Sequence, residues 1–191
     1  MRLATPIGLA AVAVAVLTTA AFAATITGTN GPDSLVGTRS DDRISARGGD
    51  DRVFGLRGDD QIGGGAGRDV LYSDGTCASG ARRADYCDPA ETRGDGADEI
   101  AGGDGTDTIN GGGGTDEISG GGGDDNVSGG GGADRIAGGR GVDQISGGGG
   151  DDRIDVRGDG AKDTVTCGAG ADRVTADAED SVARDCEVVT R

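Results

Sequence analysis

Aspartate returns every ninth residue along most of this chain. One series runs Asp33, Asp42, Asp51, Asp60 and Asp69; a second runs Asp98, Asp107, Asp116, Asp125, Asp134, Asp143 and Asp152, and Asp163 and Asp172 follow. Most of these close a glycine-rich loop. In the most regular stretch the loops open on Gly102, Gly111, Gly120, Gly129, Gly138 and Gly147, and each reads GGxGxD through its aspartate. Carboxylates beside unobstructed backbone carbonyls make an oxygen-only donor set, which suits a hard cation. Ca2+ takes roughly six to eight such oxygens in flexible geometry, whereas Mg2+ wants a strict octahedron and gives up its waters reluctantly. Equivalent aspartates stacked together repel unless a cation sits between them.

The elements that must position these aspartates are legible in the same period. Numbering each unit one to nine, with Asp at six, position eight is aliphatic in all fourteen units: Leu35, Ile44, Val53, Ile62 and Leu71, then Ile100, Ile109, Ile118, Val127, Ile136, Ile145 and Ile154, then Val165 and Val174. Positions seven and nine are mostly polar or small, as Arg135 and Ala137 are around Ile136. That alternation predicts a very short strand with one inward side chain. The six preceding residues suit a turn that needs positive φ. Turn and strand at a fixed period wind into a coil whose inward residues stack into a thin core.

These units resemble the RTX (hemolysin-type) calcium-binding nonapeptide G-G-x-G-x-D-x-U-x. The full hexamer stands at residues 64–69 and in six consecutive units from Gly102 to Asp152. The resemblance implies an all-β fold, a right-handed parallel β-roll or β-helix solenoid with two nonapeptides per turn. It also implies Ca2+ ions held between turns by the sixth-position aspartates and loop carbonyls. The first block departs from the pattern: position two is Thr29, Thr38, Arg47 and Leu56 in four units, and position four is Ser40 in one. Its aspartates are intact, so the same coil is expected with less regular calcium sites.

Composition sharpens the reading. The chain has 191 residues, 42 of them Gly, with no His or Trp and a net charge of −16. Such a chain belongs with self-repelling, disordered polymers unless something folds it. One aliphatic side chain per nine residues is a thin return against the ordering of the backbone. Metal binding can supply the difference, so the calcium-free chain is expected to be largely unfolded. The acidic balance and the lack of a basic run argue against nucleic acid and anionic membrane as partners. Calcium ions are the expected partner, with an extracellular glycan or surface as a second.

Residues 1–23 read as a signal peptide: Arg2, an apolar run from Ile7 to Phe22, then the small-x-small triplet Ala21-Phe22-Ala23. No second apolar run of membrane-spanning length follows, so a secreted protein without membrane insertion is expected. The mature chain divides into a first repeat block (24–72), an inserted loop (73–92), a second block (93–166) and a C-terminal cap (167–191). Four cysteines allow three connectivities. Each pair is confined to one irregular segment, which favours Cys77 with Cys87 closing the loop and Cys167 with Cys186 stapling the cap. Without His there is no zinc-protease motif and no Ser-His-Asp or Cys-His arrangement, so no catalytic site is expected. The function expected is calcium binding with calcium-dependent folding. The alternatives are a calcium-stabilised adhesion or matrix module and an accessory carbohydrate-binding module.

Overall fold

The computed structural model describes residues 23–74 and 96–191. The proposed leader up to residue 22, and the proposed Cys77–Cys87 pair, lie outside the described residues. Seventeen strands follow one another, and no helix occurs among the described residues. They are β1 (Thr25–Thr27), β2 (Ser34–Val36), β3 (Arg43–Gly48), β4 (Arg52–Leu56), β5 (Gln61–Ala66), β6 (Val70–Asp74), β7 (Glu99–Asp104), β8 (Thr108–Gly113) and β9 (Glu117–Gly122). Then come β10 (Asn126–Gly131), β11 (Arg135–Arg140), β12 (Gln144–Gly149), β13 (Arg153–Val156), β14 (Thr164–Ala169), β15 (Arg173–Ala176), β16 (Ser181–Val182) and β17 (Val188–Thr190).

Odd strands form one nine-stranded sheet and even strands an eight-stranded sheet, each in chain order. Every pairing is parallel, so the chain is a β-solenoid with two units per turn. Register follows the repeat: Ile118 lies beside Ile136 and Val127 beside Ile145, one turn of two nonapeptides apart. Where the period slips, the strands still pair in phase. Ile62 meets Ile100 and Leu71 meets Ile109, so β5 with β7 and β6 with β8 keep the register of the other turns. Two further residues are absorbed before β14, where Ile145 pairs with Val165.

The strands are longer than the sequence period predicts. They continue past position nine into the glycines, and Gly121 pairs with Gly139 as regularly as Ile118 does with Ile136. Ladder hydrogen bonds need only backbone, so glycine can take part; what it adds is a bend. Gly121 has φ +116°, and a Cβ built there would lie 2.1 Å from the Gly103 oxygen of the preceding turn. Its neighbour Gly122 has ordinary φ, and a Cβ there would meet nothing closer than 3.5 Å. Leu56 and Arg47 occupy the second position with φ of 93° and 81°, a conformation that costs a side-chain-bearing residue on the order of 1–3 kcal/mol.

Three columns face inward from each sheet. Position six, eight and the next position one alternate with outward residues, as a period of two requires. The aliphatic column from Leu35 to Val174 is almost wholly buried, and the first-position column is glycine except where Ala46, Val156, Cys167 or Ala176 adds a small apolar group, or Ser73 a hydroxyl. Cys167 is linked to Cys186, with their Cα atoms 5.2 Å apart. This staple holds the last irregular turn, in which Val165 pairs with Val182 and Val174 with Val189.

The two glycines give a direct test. Gly121→Ala should lower the melting temperature of the calcium-saturated chain by about 4 °C or more, while Gly122→Ala should leave it nearly unchanged. Equal melting temperatures would show that the bend at position two is not required.

Candidate metal centres

The sixth-position aspartates sit inside the solenoid rather than at its rim. Asp69 and Asp143 have no exposure, and Asp51, Asp60, Asp98, Asp107, Asp116, Asp125, Asp134 and Asp152 are all buried, as are Asp33, Asp42, Asp163 and Asp172. Burying a carboxylate is costly unless it is paired or hydrogen-bonded. From Asp42 onward one oxygen of each is held in a regular way. Asp107 donates its backbone N–H to Asp125 Oδ1 at 2.8 Å, Asp125 to Asp143 at 2.9 Å, and Asp134 to Asp152 at 2.9 Å. The ladder bridges the inserted segment as well, with Asp60 N–H on Asp98 and Asp69 N–H on Asp107. It runs on through Asp163 and Asp172 to Asp180 and Glu187. The simple expectation of carboxylate facing carboxylate is therefore replaced: backbone N–H groups lie between consecutive carboxylates and partly offset the repulsion.

The second oxygen is different. Oδ2 of Asp51, Asp69, Asp107, Asp125, Asp134, Asp143, Asp152 and Asp172 is buried without a hydrogen-bond partner. Buried polar atoms are rarely left so, and each calls for a ligand. On Asp69, Asp107, Asp125, Asp134, Asp143 and Asp152 this oxygen faces the first-position glycine of its own unit, a position held by Ala46 and Cys167 in the units of Asp51 and Asp172. A Cβ built on Gly120 would lie 2.6 Å from Asp125 Oδ2 and 2.4 Å from the carbonyl oxygen of Gly138, one turn on. The same cradle of one carboxylate and one carbonyl oxygen recurs at Gly64, Gly102, Gly111, Gly129 and Gly147. At Gly138 the carboxylate oxygen of Asp143 recurs, but Val156 of the next turn brings its methyl into the space. Elsewhere the cradle is filled by side chain, at Ala46, Val156 and Cys167.

The first two units add donors of their own, although Asp33 Oδ1 stays buried without a partner among the described residues. Thr29 donates its backbone N–H at 2.5 Å and its hydroxyl at 3.0 Å to Asp33 Oδ2. Thr38 divides its donors between the two oxygens of Asp42, its backbone N–H on Oδ2 and its hydroxyl on Oδ1 at 3.0 Å. The threonines that look like weakened repeats in the sequence are thus built-in donors. Aspartates at position five are used differently again: Asp124 is exposed, and its Oδ1 accepts the Val142 N–H at 2.9 Å.

Electrostatics mark the same column. Burial raises Asp125 to about 7, against the lowering effect of the Asp107 N–H, with Asp107, Asp143 and Asp124 adding repulsion. Asp152 and Asp163 rise to about 6, again chiefly by burial. Asp51, Asp69, Asp98, Asp107, Asp134 and Asp143 are also pushed up by burial. Among the described residues no three Asp, Glu, Cys or His side chains gather as a metal site. A cation here must therefore draw much of its coordination from backbone carbonyls, which hard cations accept.

The profile of the RTX calcium-binding nonapeptide repeat matches the chain four times, over residues 27–62, 48–75, 92–127 and 128–160. The chain belongs to this family. No curated protein matches it at a significant level. The RTX repeat is a calcium-binding unit, and the unpartnered Oδ2 atoms and glycine cradles are chemically fitted to that ion. Sequence reading finds the aspartates and the opening glycines by their phase. It misses the N–H ladder onto Oδ1 and the threonine substitution, because both depend on which groups lie one turn apart.

Raised carboxyl pKa values fix the sign of a pH effect. In the calcium-free chain the folded state holds these protons more tightly than the unfolded state, whose carboxyls titrate near 3.8. Stability is then greatest at low pH and is lost as pH rises through about 6 to 7. Lowering the pH from about 8 to about 5 without calcium should increase β structure by circular dichroism. A loss of β structure over that range would contradict the buried-column geometry.

Proposed function

We propose that the chain is a secreted calcium-binding protein that folds on binding Ca2+, with no catalytic role of its own. The observation that carries this reading is the column of buried, unpartnered Oδ2 atoms, of which those of Asp69, Asp107, Asp125, Asp134 and Asp152 are each set against a glycine and a carbonyl oxygen of the next turn. Asp69, Asp107, Asp116, Asp125, Asp134 and Asp152 would hold the ions at the cradles of Gly64, Gly102, Gly111, Gly120, Gly129 and Gly147, together with loop carbonyls. Asp143 with Gly138, Asp51, Asp60 and Asp98 are further carboxylate donors in less regular surroundings. Asp33 and Asp42 are already engaged by threonine and are the weaker candidates, with Asp33 Oδ1 still unpartnered. Bound Ca2+ supplies the positive charge that desolvated carboxylates otherwise lack.

Secretion is supported by the leader-like pattern of residues 1–23 and by the Cys167–Cys186 bond, which persists in oxidising compartments. The domain division remains part of the proposal: two solenoid blocks, an inserted loop and a stapled cap.

Titration with Ca2+ after EDTA treatment tests the reading. Circular dichroism should change from disordered to β over about 10⁻⁴–10⁻³ M Ca2+, the range of extracellular modules, and native mass spectrometry should count about four to eight ions. An unchanged spectrum, or one or two ions, would overturn it. Asp125→Asn removes charge from the buried oxygen and should weaken calcium binding severalfold. Asp124→Asn removes the same charge but keeps the acceptor for Val142, so affinity should change little beyond a screened surface effect. Equal losses would mean a diffuse counterion cloud rather than defined sites.

A further inference from the structure

The outward face of the odd-numbered sheet carries a row that no linear stretch of sequence contains. Seventh-position residues stack along it one per turn: Glu99 beside Glu117, Glu117 beside Arg135, Arg135 beside Arg153, and Arg153 beside Arg173. Parallel strands space such neighbours about 4.8 Å apart. All five side chains are exposed, and Arg135, Arg153 and Arg173 make no ion pair or side-chain hydrogen bond among the described residues. Like charges set directly beside one another weaken a sheet, so three unpaired arginines in register do nothing for the fold. They stand on a chain with 34 acidic and 18 basic residues and a net charge of −16. Opposite them the ninth-position residues are Ala101, Ser119, Ala137, Asp155 and Thr175, with Asp155 paired to Arg157, and the two rows wall a groove of about 570 Å³.

We propose that this groove binds a linear anionic polysaccharide, with Arg135, Arg153 and Arg173 holding carboxylate or sulfate groups on successive sugars. Guanidinium forks match such oxyanions in bidentate geometry and keep their charge at every relevant pH. A straight row at a single fixed spacing fits a stiff, extended polymer with one charge per residue. An acidic peptide strand presents side chains on one face only every ~6.8 Å and falls out of step. Single-stranded nucleic acid needs aromatic platforms for its bases, and none lines this groove. Glu99 and Glu117 repel an anion, while the charge of Asp155 is offset by Arg157; this limits the contact to the three arginine rungs and directs the polymer towards the C-terminal end. A second copy of the chain could set its own glutamates against these arginines, but so narrow a strip falls well short of the ~800 Å² per partner of a stable interface.

The proposal rests on the calcium reading only because the sheet must be formed. The full chain in saturating Ca2+ and low salt is titrated calorimetrically with a uronate hexasaccharide, a sulfated hexasaccharide, a neutral hexasaccharide and a short single-stranded oligonucleotide. At least one anionic saccharide should bind and weaken as salt is raised, which also tells carboxylate from sulfate. Arg153→Gln should lose at least about fivefold in affinity, as expected for a charge-assisted contact. Arg52→Gln, which removes the same charge from the opposite sheet, should change nothing. Failure of both anionic saccharides to bind, equal binding of the neutral one, or an equal loss in Arg52→Gln overturns the proposal. So does tighter binding of the oligonucleotide, or self-association that Arg153→Gln abolishes. Circular dichroism in the same buffer separates the two readings: a β spectrum without saccharide binding counts against the groove alone, and no β spectrum removes both.

Discussion

A buried carboxylate in every repeat is the constraint on which this solenoid depends. Each unit places an aspartate on the inward side of its strand, beside a core that offers one aliphatic side chain per unit. The N–H of the equivalent aspartate one turn away satisfies one oxygen, and this bond also locks successive turns in register. The other oxygen is turned towards a glycine and a carbonyl, a surrounding that stabilises only a proton or a cation. The raised pKa of Asp125 and the fit to calcium are two consequences of that one arrangement.

Variation along the repeat reads as different answers to the same demand. Thr29 and Thr38 bring their own donors to Asp33 and Asp42, which leaves Asp33 Oδ1 as the one oxygen of these two carboxylates without a partner. From Gly102 to Asp152 the glycines stay intact and the cradles are open. Near the C-terminus Val156, Cys167 and Ala176 fill the first-position column with side chain, and the Cys167–Cys186 bond closes the last turn. The last turn is closed covalently and the first units are partly closed by threonine, while Asp107, Asp125, Asp134 and Asp152 in the middle keep an unpartnered Oδ2.

The nonapeptide phase was enough to read the family, the coiled strands and the inward aliphatics, and the resemblance to the family added two units per turn; that the aspartates also face inward was not read. Local rules carry that information: a period of two within the strand, Asp at six, an aliphatic at eight. Cys167 with Cys186 was legible because both fall in one irregular segment. The strands were read as too short, since glycine is a poor strand former in isolation; in the solenoid its backbone is paired by the turns above and below. The chain was also read as having no basic patch, and in sequence it has none.

Tertiary structure decided whatever depends on residues eighteen apart. Arg135 and Arg153 are separated by two whole units in sequence yet become neighbours, because one turn of the coil consumes two units. The same stacking sets the N–H of Asp107 on Asp125 and the carbonyl of Gly138 against Gly120. Sequence by itself determined which side chains face in and which face out, since strand alternation is a local property. Which of them meet was decided by the pitch of the coil, a property of the backbone hydrogen bonds between turns.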